Sequence, residues 1–173
     1  MVEIDVPITR SFPKKDLLPH TQSTLSALLG LVADAVTLRV TGQGPGDLLG
    51  SVEEELKVET VRGNAVVVLA VYDYRDVGPK EETELDSHLA CVITPVGDRP
   101  PLAWALAVAM AIVTAEAGNG VVIDEYLIWT GERANNPAAL RRRLTAPKPY
   151  ADPQNAALDL LEQRAVNGQE VLG

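Results

Sequence analysis

A run of fourteen residues without a charged side chain, Leu102–Ala115, most constrains what this chain can fold into. A helix that crosses a bilayer needs about 20 apolar residues, so the run is too short to be a transmembrane span. It also has no polar face, whereas a surface helix has one. Pro100 and Pro101 stand before it and Gly118–Asn119–Gly120 after it, as start and stop signals of a helix. The run therefore predicts a helix over about Leu102–Ala117, buried between two layers of structure.

Segments with the patterns of β-strands lie on both sides of this helix. They are Val2–Ile8, Ala35–Thr41, Val52–Val61, Ala65–Tyr74, His88–Val96 and Val121–Trp129. Arg62–Gly63–Asn64 joins the third segment to the fourth, and its residues tolerate the positive φ that a β-hairpin turn requires. Leucine and valine at helical spacing predict an amphipathic helix over Thr21–Asp34, preceded by a connector at Lys14–His20.

Together these elements predict an α+β fold, a mainly antiparallel sheet of about six strands with two helices on one face. Residues 1–131 are expected to form this sheet domain. The composition changes after Gly131, and residues 132–173 are expected to form a helical C-terminal extension that packs on the sheet domain. Asn136–Pro137 begins a short helix through Arg143, and a last amphipathic helix is predicted over about Pro153–Val166.

The net charge of -9 limits the classes of partner. A negative field repels phosphate backbones, so no nucleic acid is expected to bind, and a protein with a basic surface is the favoured partner. An acidic surface that only keeps the chain in solution explains the same charge. Cys91 has no second cysteine to pair with and lies in an apolar strand, which predicts a buried thiol. Met1–Arg10 lacks a cationic start followed by an apolar stretch, so a soluble, cytoplasmic protein is expected, with no membrane partner.

The motifs of cofactor and metal sites are absent from the sequence. Gly42–Asp47 is the nearest approach to a phosphate-binding loop, but its spacing is G-x-G-x-G and Pro45 removes a backbone donor, so a flexible surface loop is predicted. The two histidines, His20 and His88, are far apart in the sequence and form no metal-ligand pattern. Neither a cofactor nor a metal is predicted.

A few polar and aromatic residues are nevertheless candidates for a functional site. Asp124 and Glu125 are adjacent in the last predicted strand, so alternation turns one of them toward an apolar face. Such a carboxylate needs a partner, for which Arg39 and Arg99 are candidates, or its pKa rises. An ion pair or a position at the strand edge is the structural interpretation. The further candidates are Asp73 and His88 at strand ends, and Trp104, which can line a groove.

One stretch of the chain resembles a known pattern. Asp86–Ile93, the alanine-rich helix Leu102–Ala117 and then Gly120–Val121–Val122–Ile123–Asp124 resemble uncharacterised bacterial α+β domains of unknown function, some of them near secretion or toxin–immunity genes. Asn119 stands where a glycine or another small residue is more usual. The resemblance implies the fold and transfers no catalytic residue, and Asp124 is the one polar position that matches.

Three hypotheses about function follow. The first is a non-enzymatic bacterial protein-binding or accessory domain, of which an immunity-type inhibitor is one version, because the sequence has no catalytic set. The second is a carboxylate-dependent enzyme that uses Asp124, Glu125, Asp73 and His88 in one cleft. The third is a homo-oligomeric structural subunit, such as a homodimer. Its docking element would be the apolar stripe of the last helix, which comprises Ala157, Leu158, Leu161 and Ala165.

Overall fold

The structure, a computed structural model, describes residues 3–31, 36–42, 44–62, 64–73, 89–98, 100–124, 133–145 and 156–157. The strands are β1 (Ile4–Ile8), β2 (Phe12–Pro13), β3 (Leu38–Gly42), β4 (Leu48–Leu49), β5 (Glu54–Thr60), β6 (Val66–Asp73), β7 (Leu89–Val96), β8 (Val122–Ile123) and β9 (Ala134–Asn135). The helices are α1 (Lys14–Leu29), α2 (Pro101–Ala117) and α3 (Pro137–Leu144). No helix among these residues is long and apolar enough to cross a bilayer.

Seven of the strands form one sheet in the order β3-β5-β6-β7-β1-β8-β9, and every pairing is antiparallel. Strands β2 and β4 form a separate two-stranded sheet. The predicted α+β class with a mainly antiparallel sheet is confirmed. All six predicted strand segments contribute a strand to the large sheet, and the seventh strand, β9, is too short to show a pattern in the sequence.

Helix α2 is the centre of the fold. It packs against β1, β6, β7 and β8 on one side, and α1 and α3 pack against it. Its residues from Ala105 to Ala115 are all buried, as the uncharged run predicts. Ala156 and Ala157, from the predicted last helix, are buried in the same core, while the rest of that helix lies outside the described residues.

The two faces of the large sheet differ. Side chains that alternate toward α2 are fully buried, for example Leu69, Cys91 and Val6. We call this side the inner face. The side chains between them, such as Val66 and Val68 on β6, are only partly buried, and those on β5 are mostly exposed. We call this side the outer face. Helices α1 and α2 therefore cover one face of the sheet, as predicted.

The first helix departs from the prediction. Lys14–His20 is not a connector, because α1 begins at Lys14 and continues through Pro19 to Leu29. Proline removes one backbone donor from a helix, and here both Pro19 and Lys15, four residues earlier, lie on the exposed side. The helix also ends before the predicted Asp34, because Gly30 adopts a left-handed conformation with φ of 65°.

The segment after α2 holds the chain close to β1. The backbone carbonyl of Gly118 accepts hydrogen bonds from the N–H groups of Thr9 and Arg10, at 2.8 and 3.2 Å. A Cβ at Gly120 would overlap the carbonyl of Pro7, so only glycine fits there. Asn119 has a φ of 50°, which asparagine tolerates, and its side-chain amide donates to Thr9 Oγ1. This close approach leads directly into β8 and Asp124.

Candidate functional site

Asp124, one of the two adjacent acids of which alternation turns one toward an apolar face, is buried. It follows β8, where Val122 is also buried and Ile123 between them is only partly so. The N–H of Asp124 donates to the backbone carbonyl of Arg133 at 2.7 Å, which continues the pairing toward β9. Of its two proposed partners, Arg39 lies at the opposite edge of the sheet and pairs with Glu59, while Arg99 lies outside the described residues.

The strand register keeps Asp73 and Asp124 apart. Asp73 is level with Leu89 and Ile8, whereas Asp124 is level with Ile4, because Asp5 pairs with Ile123. Four residues along the strands and three strand spacings across them correspond to roughly 20 Å. Glu125 and His88 lie outside the described residues. The two described carboxylates therefore do not form the cleft that a carboxylate-dependent enzyme requires.

Trp104 lies in the first turn of α2 and packs, partly buried, against the hydrophobic core. Cys91 is fully buried on the inner face, as its apolar neighbours predict. Burial, and secondly the negative charge of Glu54, raises the pKa of the Cys91 thiol from 9.0 to about 12. The thiol is thus protonated at neutral pH, and a protonated, buried thiol is a poor nucleophile.

Glu54, whose charge acts on Cys91, belongs to a buried ion pair in the protein interior. Glu54, Val71, Cys91 and Val6 form one row across β5, β6, β7 and β1 on the inner face. The side chain of Glu54 is only 2% exposed, and its partner Lys14 is 7% exposed. Lys14 is the first residue of α1, and its Nζ lies 2.6 Å from Glu54 Oε2.

The glycine-rich segment covers this ion pair. Lys14 Nζ also donates to the backbone carbonyls of Gly44 and Pro45, at 3.0 and 3.3 Å, and the N–H of Lys14 donates to the carbonyl of Asp47. A Cβ at Gly44 would come within 2.6 Å of Glu54 Oε2, so the missing side chain gives the carboxylate its room. The sequence predicts a flexible surface loop for this segment, but the carbonyls of Gly44, Pro45 and Asp47 bind it to the first residue of α1.

The surroundings of Glu54 and Lys14 do not favour a ligand. Among the described residues, neither oxygen of Glu54 accepts a hydrogen bond of favourable geometry, although the ion pair itself is short. Lys14 Nζ donates to two backbone carbonyls and faces the Glu54 carboxylate as an ion pair. A cleft of about 650 Å³ opens beside the pair, lined by Pro13, Lys14, Lys15, Gly46, Asp47 and Leu48. Lys15 and Asp47 place opposite charges on this wall, so it favours neither an anion nor a cation, and we interpret the Lys14–Glu54 pair as structural.

Sequence reasoning missed this pair although one signal was present. Glu54 alternates with Leu56, Val58 and Thr60, all of them buried, so its position on the apolar side of β5 is readable from the sequence. Lys14 carries no such signal, because its place at the start of α1 depends on a helix that was predicted to begin seven residues later. Among the described residues, no three His, Cys, Asp or Glu side chains are grouped so as to hold a metal ion.

The outer face presents the second feature of interest. Val61, Val66, Val68, Thr94 and Val96 form a contiguous set near the hairpin, which we call the outer patch. Val61 is 49% exposed, and the other four are partly exposed. Beside them, β5 and the residue before it turn Glu53, Glu55, Lys57 and Glu59 to the same face, a set that we call the charged row.

Part of the outer face is already covered. Ala90 and Val92 on β7 and Pro7 on β1 are buried, although the register places them on the side away from α2. Ala90 and Val92 belong to no part of the main core cluster, which is consistent with that placement. The accessible area is therefore the outer patch with the charged row.

No family model, no curated protein and no solved structure matches the chain.

Proposed function

We propose that this chain is a non-enzymatic, protein-binding domain that docks a partner protein on the outer patch. The observation that supports the proposal is the row of valines left partly exposed on the strands of a sheet whose inner side chains are fully buried. Isolated exposed valines are ordinary on protein surfaces, but contiguous apolar side chains rimmed by charges are typical of interaction sites.

The register makes the patch contiguous. Val66 is opposite Val96, and Val68 is opposite Thr94, on neighbouring strands. Val61 extends the same face past the end of β5, where its N–H donates to the carbonyl of Thr37. Burying these partly exposed side chains would contribute roughly 25 cal/mol for each Å² of apolar surface removed from water.

The charge of the chain defines the chemistry of the partner. The charged row holds three glutamates and one lysine, and the whole chain carries a net charge of -9. A partner with lysine or arginine around an apolar centre would be attracted by this field and would pair with Glu55, which is exposed. The same field disfavours a nucleic acid or an anionic membrane surface as the partner.

The partner is expected on the face of the sheet rather than at its edge. The edge strand β3 has a β-bulge between Val40 and Gly42. At its free edge, away from β5, the N–H of Leu38 donates to Gln22 Oε1 at 3.2 Å. Bulges and occupied backbone donors hinder the addition of a further strand. The strand β9 at the other edge has only two residues.

An immunity-type inhibitor, in which the partner is a toxin, is one version of this proposal, and it is motivated by the resemblance of residues 86–124 to uncharacterised bacterial domains. The proposal includes a cytoplasmic location in a bacterium, which the single buried, unpaired cysteine favours. A homodimer through the last helix is less favoured, because Ala157 of the proposed docking stripe is buried in the core of its own chain.

The test is affinity capture from a lysate of the native host at low ionic strength, with two variants matched in chemistry and exposure. Val61→Asp introduces a charge into the outer patch, and Val52→Asp introduces the same charge at the far end of β5. The two valines are 49% and 50% exposed. We expect the wild type and Val52→Asp to capture the same stoichiometric protein and Val61→Asp to lose it. Equal capture by all three proteins would contradict the proposal. A light-scattering mass of twice the chain, seen in the wild type and Val52→Asp but not in Val61→Asp, would show that the outer patch forms a homodimer instead.

A further inference from the structure

The junction between α2 and β8 contains an asparagine directly before a glycine, Asn119–Gly120. Among asparagines, those before a glycine lose their side-chain amide most readily, because glycine has no side chain to hinder its backbone nitrogen from reaching the asparagine. Asn119 is exposed, so water reaches it. Whether this pair reacts in the folded protein therefore depends on how the junction holds the two reacting groups.

The reaction requires a free backbone nitrogen and a mobile side chain. The nitrogen of Gly120 gives up its proton and attacks Cγ of Asn119, which forms a new C–N bond. The bond between Cγ and Nδ2 then breaks, and Nδ2 leaves as ammonia with that proton. Water opens the resulting succinimide ring at either carbonyl, which leaves aspartate or isoaspartate at position 119. The reaction needs water alone as a co-reactant.

The native junction withholds both groups. The N–H of Gly120 donates to the carbonyl of Ala115 at 2.8 Å, so its proton is protected from removal. Nδ2 of Asn119 donates to Thr9 Oγ1 at 3.1 Å, and Thr9 Oγ1 donates to the backbone carbonyl of Asn119 at 2.9 Å. Gly120 lies so close to the carbonyl of Pro7 that a Cβ there would overlap it, so rotation of this peptide toward the side chain requires β1 to move away.

We propose that Asn119 is a deamidation site that the native junction keeps closed and that local separation of the junction from β1 opens. Native proteins open locally at a lower free-energy cost than they unfold. Here the opened state breaks the hydrogen bonds of Thr9 with Asn119 and of Gly120 with Ala115, which frees both reacting groups together. Hydrogen exchange at the Gly120 amide and deamidation at Asn119 therefore report the same opening.

Isoaspartate at position 119 would prevent the junction from closing again. It adds a CH2 group to the backbone between Gly118 and Gly120. Both glycines lie against β1 without spare room, because a Cβ on either would overlap Ile8 or Pro7. The added length falls shortly before β8, which pairs with β1. Deamidation thus converts a reversible opening into a lasting loss of the pairing between β1 and β8.

The experiment incubates the full chain at mildly alkaline pH and measures deamidation at each asparagine by peptide mapping and mass spectrometry. The sequence supplies a reference in a second pair, Asn167–Gly168. In concentrated urea both pairs belong to an unfolded chain and should react at similar rates. Without urea, we expect Asn119 to react at least about ten-fold more slowly than in the unfolded chain, and hydrogen exchange at Gly120 to be slowed as well.

Two variants test the role of the junction. Thr9→Val removes the hydroxyl that holds the Asn119 amide but keeps the backbone N–H that donates to Gly118, and it should raise the native rate of deamidation several-fold. Asn119→Gly fits the φ of 50° and has no reactive amide at this position. After incubation in urea and refolding, the wild type should unfold at a lower urea concentration than before, whereas Asn119→Gly treated in the same way should retain its midpoint.

Three results would overturn the inference. Equal rates of deamidation at Asn119 in the native and unfolded chains would show that the junction gives no protection. An unchanged native rate in Thr9→Val would show that contact with β1 does not control the reaction. An unchanged unfolding midpoint of the wild type after deamidation and refolding would contradict the lasting effect on the pairing between β1 and β8.

Discussion

Two neighbouring glutamates on one strand show how the two faces of the sheet differ. Glu54 points into the protein, where Lys14 pairs with it and Gly44 lies against it, whereas Glu55 points to the outer face and is exposed. A buried charge without a partner lowers the stability of the fold. An exposed charge costs little and remains accessible to a binding partner. The inner charge therefore depends on its partner for stability, whereas the exposed charge of Glu55 is accessible to a binding partner.

The largest effect is expected from breaking the buried ion pair. Lys14→Ala leaves the Glu54 carboxylate without its partner, which we expect to lower the free energy of unfolding by about 3–5 kcal/mol. Urea denaturation measures this change. The double variant Lys14→Met with Glu54→Leu removes both charges and should recover most of the loss. A double variant as unstable as the single one would show that the contacts with the glycine-rich segment, rather than the charge, are what matters.

The next effect compares adjacent valines on the two faces. Val67 is fully buried on the inner face and Val68 is partly exposed on the outer one. Val67→Ala should cost about 2–3 kcal/mol, because it deletes buried methyl groups and leaves a cavity. Val68→Ala should cost less than about 1 kcal/mol. Thermal or urea unfolding of the two variants measures both values, and equal losses would contradict the division into inner and outer faces.

Cys91 provides a test of the inner face that depends on pH. The thiol pKa is 9.0 ordinarily and about 12 in the fold, so the unfolded chain releases this proton first as the pH rises. Stability that is fully present below pH 9 is therefore lost between pH 9 and about 12. The expected slope is about 1.4 kcal/mol per pH unit. The free energy of unfolding of the wild type and of Cys91→Ala is measured with urea at several pH values in this range. All other groups titrate in both proteins, so the difference between the two curves gives the slope due to Cys91. Parallel curves, or rapid alkylation of the native thiol at pH 8, would contradict its burial.

The smallest effect is expected from the exposed ion pair. Arg39 and Glu59 are 59% and 17% exposed, so water and salt compete with their attraction. Arg39→Ala should change the free energy of unfolding by no more than about 1 kcal/mol. The same urea titration used for Lys14→Ala gives the comparison directly. A loss as large as that of Lys14→Ala would show that exposure does not separate the two pairs.

Much of the fold was predictable because its signals are local. The uncharged run gave α2, the Arg62–Asn64 turn gave the hairpin, and Asn136 caps α3 with its side-chain oxygen, 3.0 Å from the N–H of Ala138. The start of α1 was not predictable from local pattern, because prolines at positions 13 and 19 indicate a connector unless their exposure is known. Strand order was not predictable either, since it depends on pairings between distant segments.

The candidate site was harder to predict. Alternation indicated that one of Asp124 and Glu125 is turned inward without saying which, and nothing in the sequence gives the register that separates Asp124 from Asp73. The Lys14–Glu54 pair joins residues forty positions apart through a helix start and a strand, so only one half of it had a signal. The apolar run on β6 is visible in the sequence, but such a run is typical of a central strand and does not indicate an exposed patch. Which valines remain exposed depends on which face the helices cover.

The most direct measurement is photocrosslinking of the partner from defined positions. A benzophenone amino acid at position 61 lies on the outer patch. The same amino acid at position 27 lies on the exposed side of α1, on the opposite side of the protein from the outer face. Docking on the outer patch predicts an adduct with the captured partner from position 61 and none from position 27. An adduct from position 27 alone would show that the partner binds the helical side and would contradict the account.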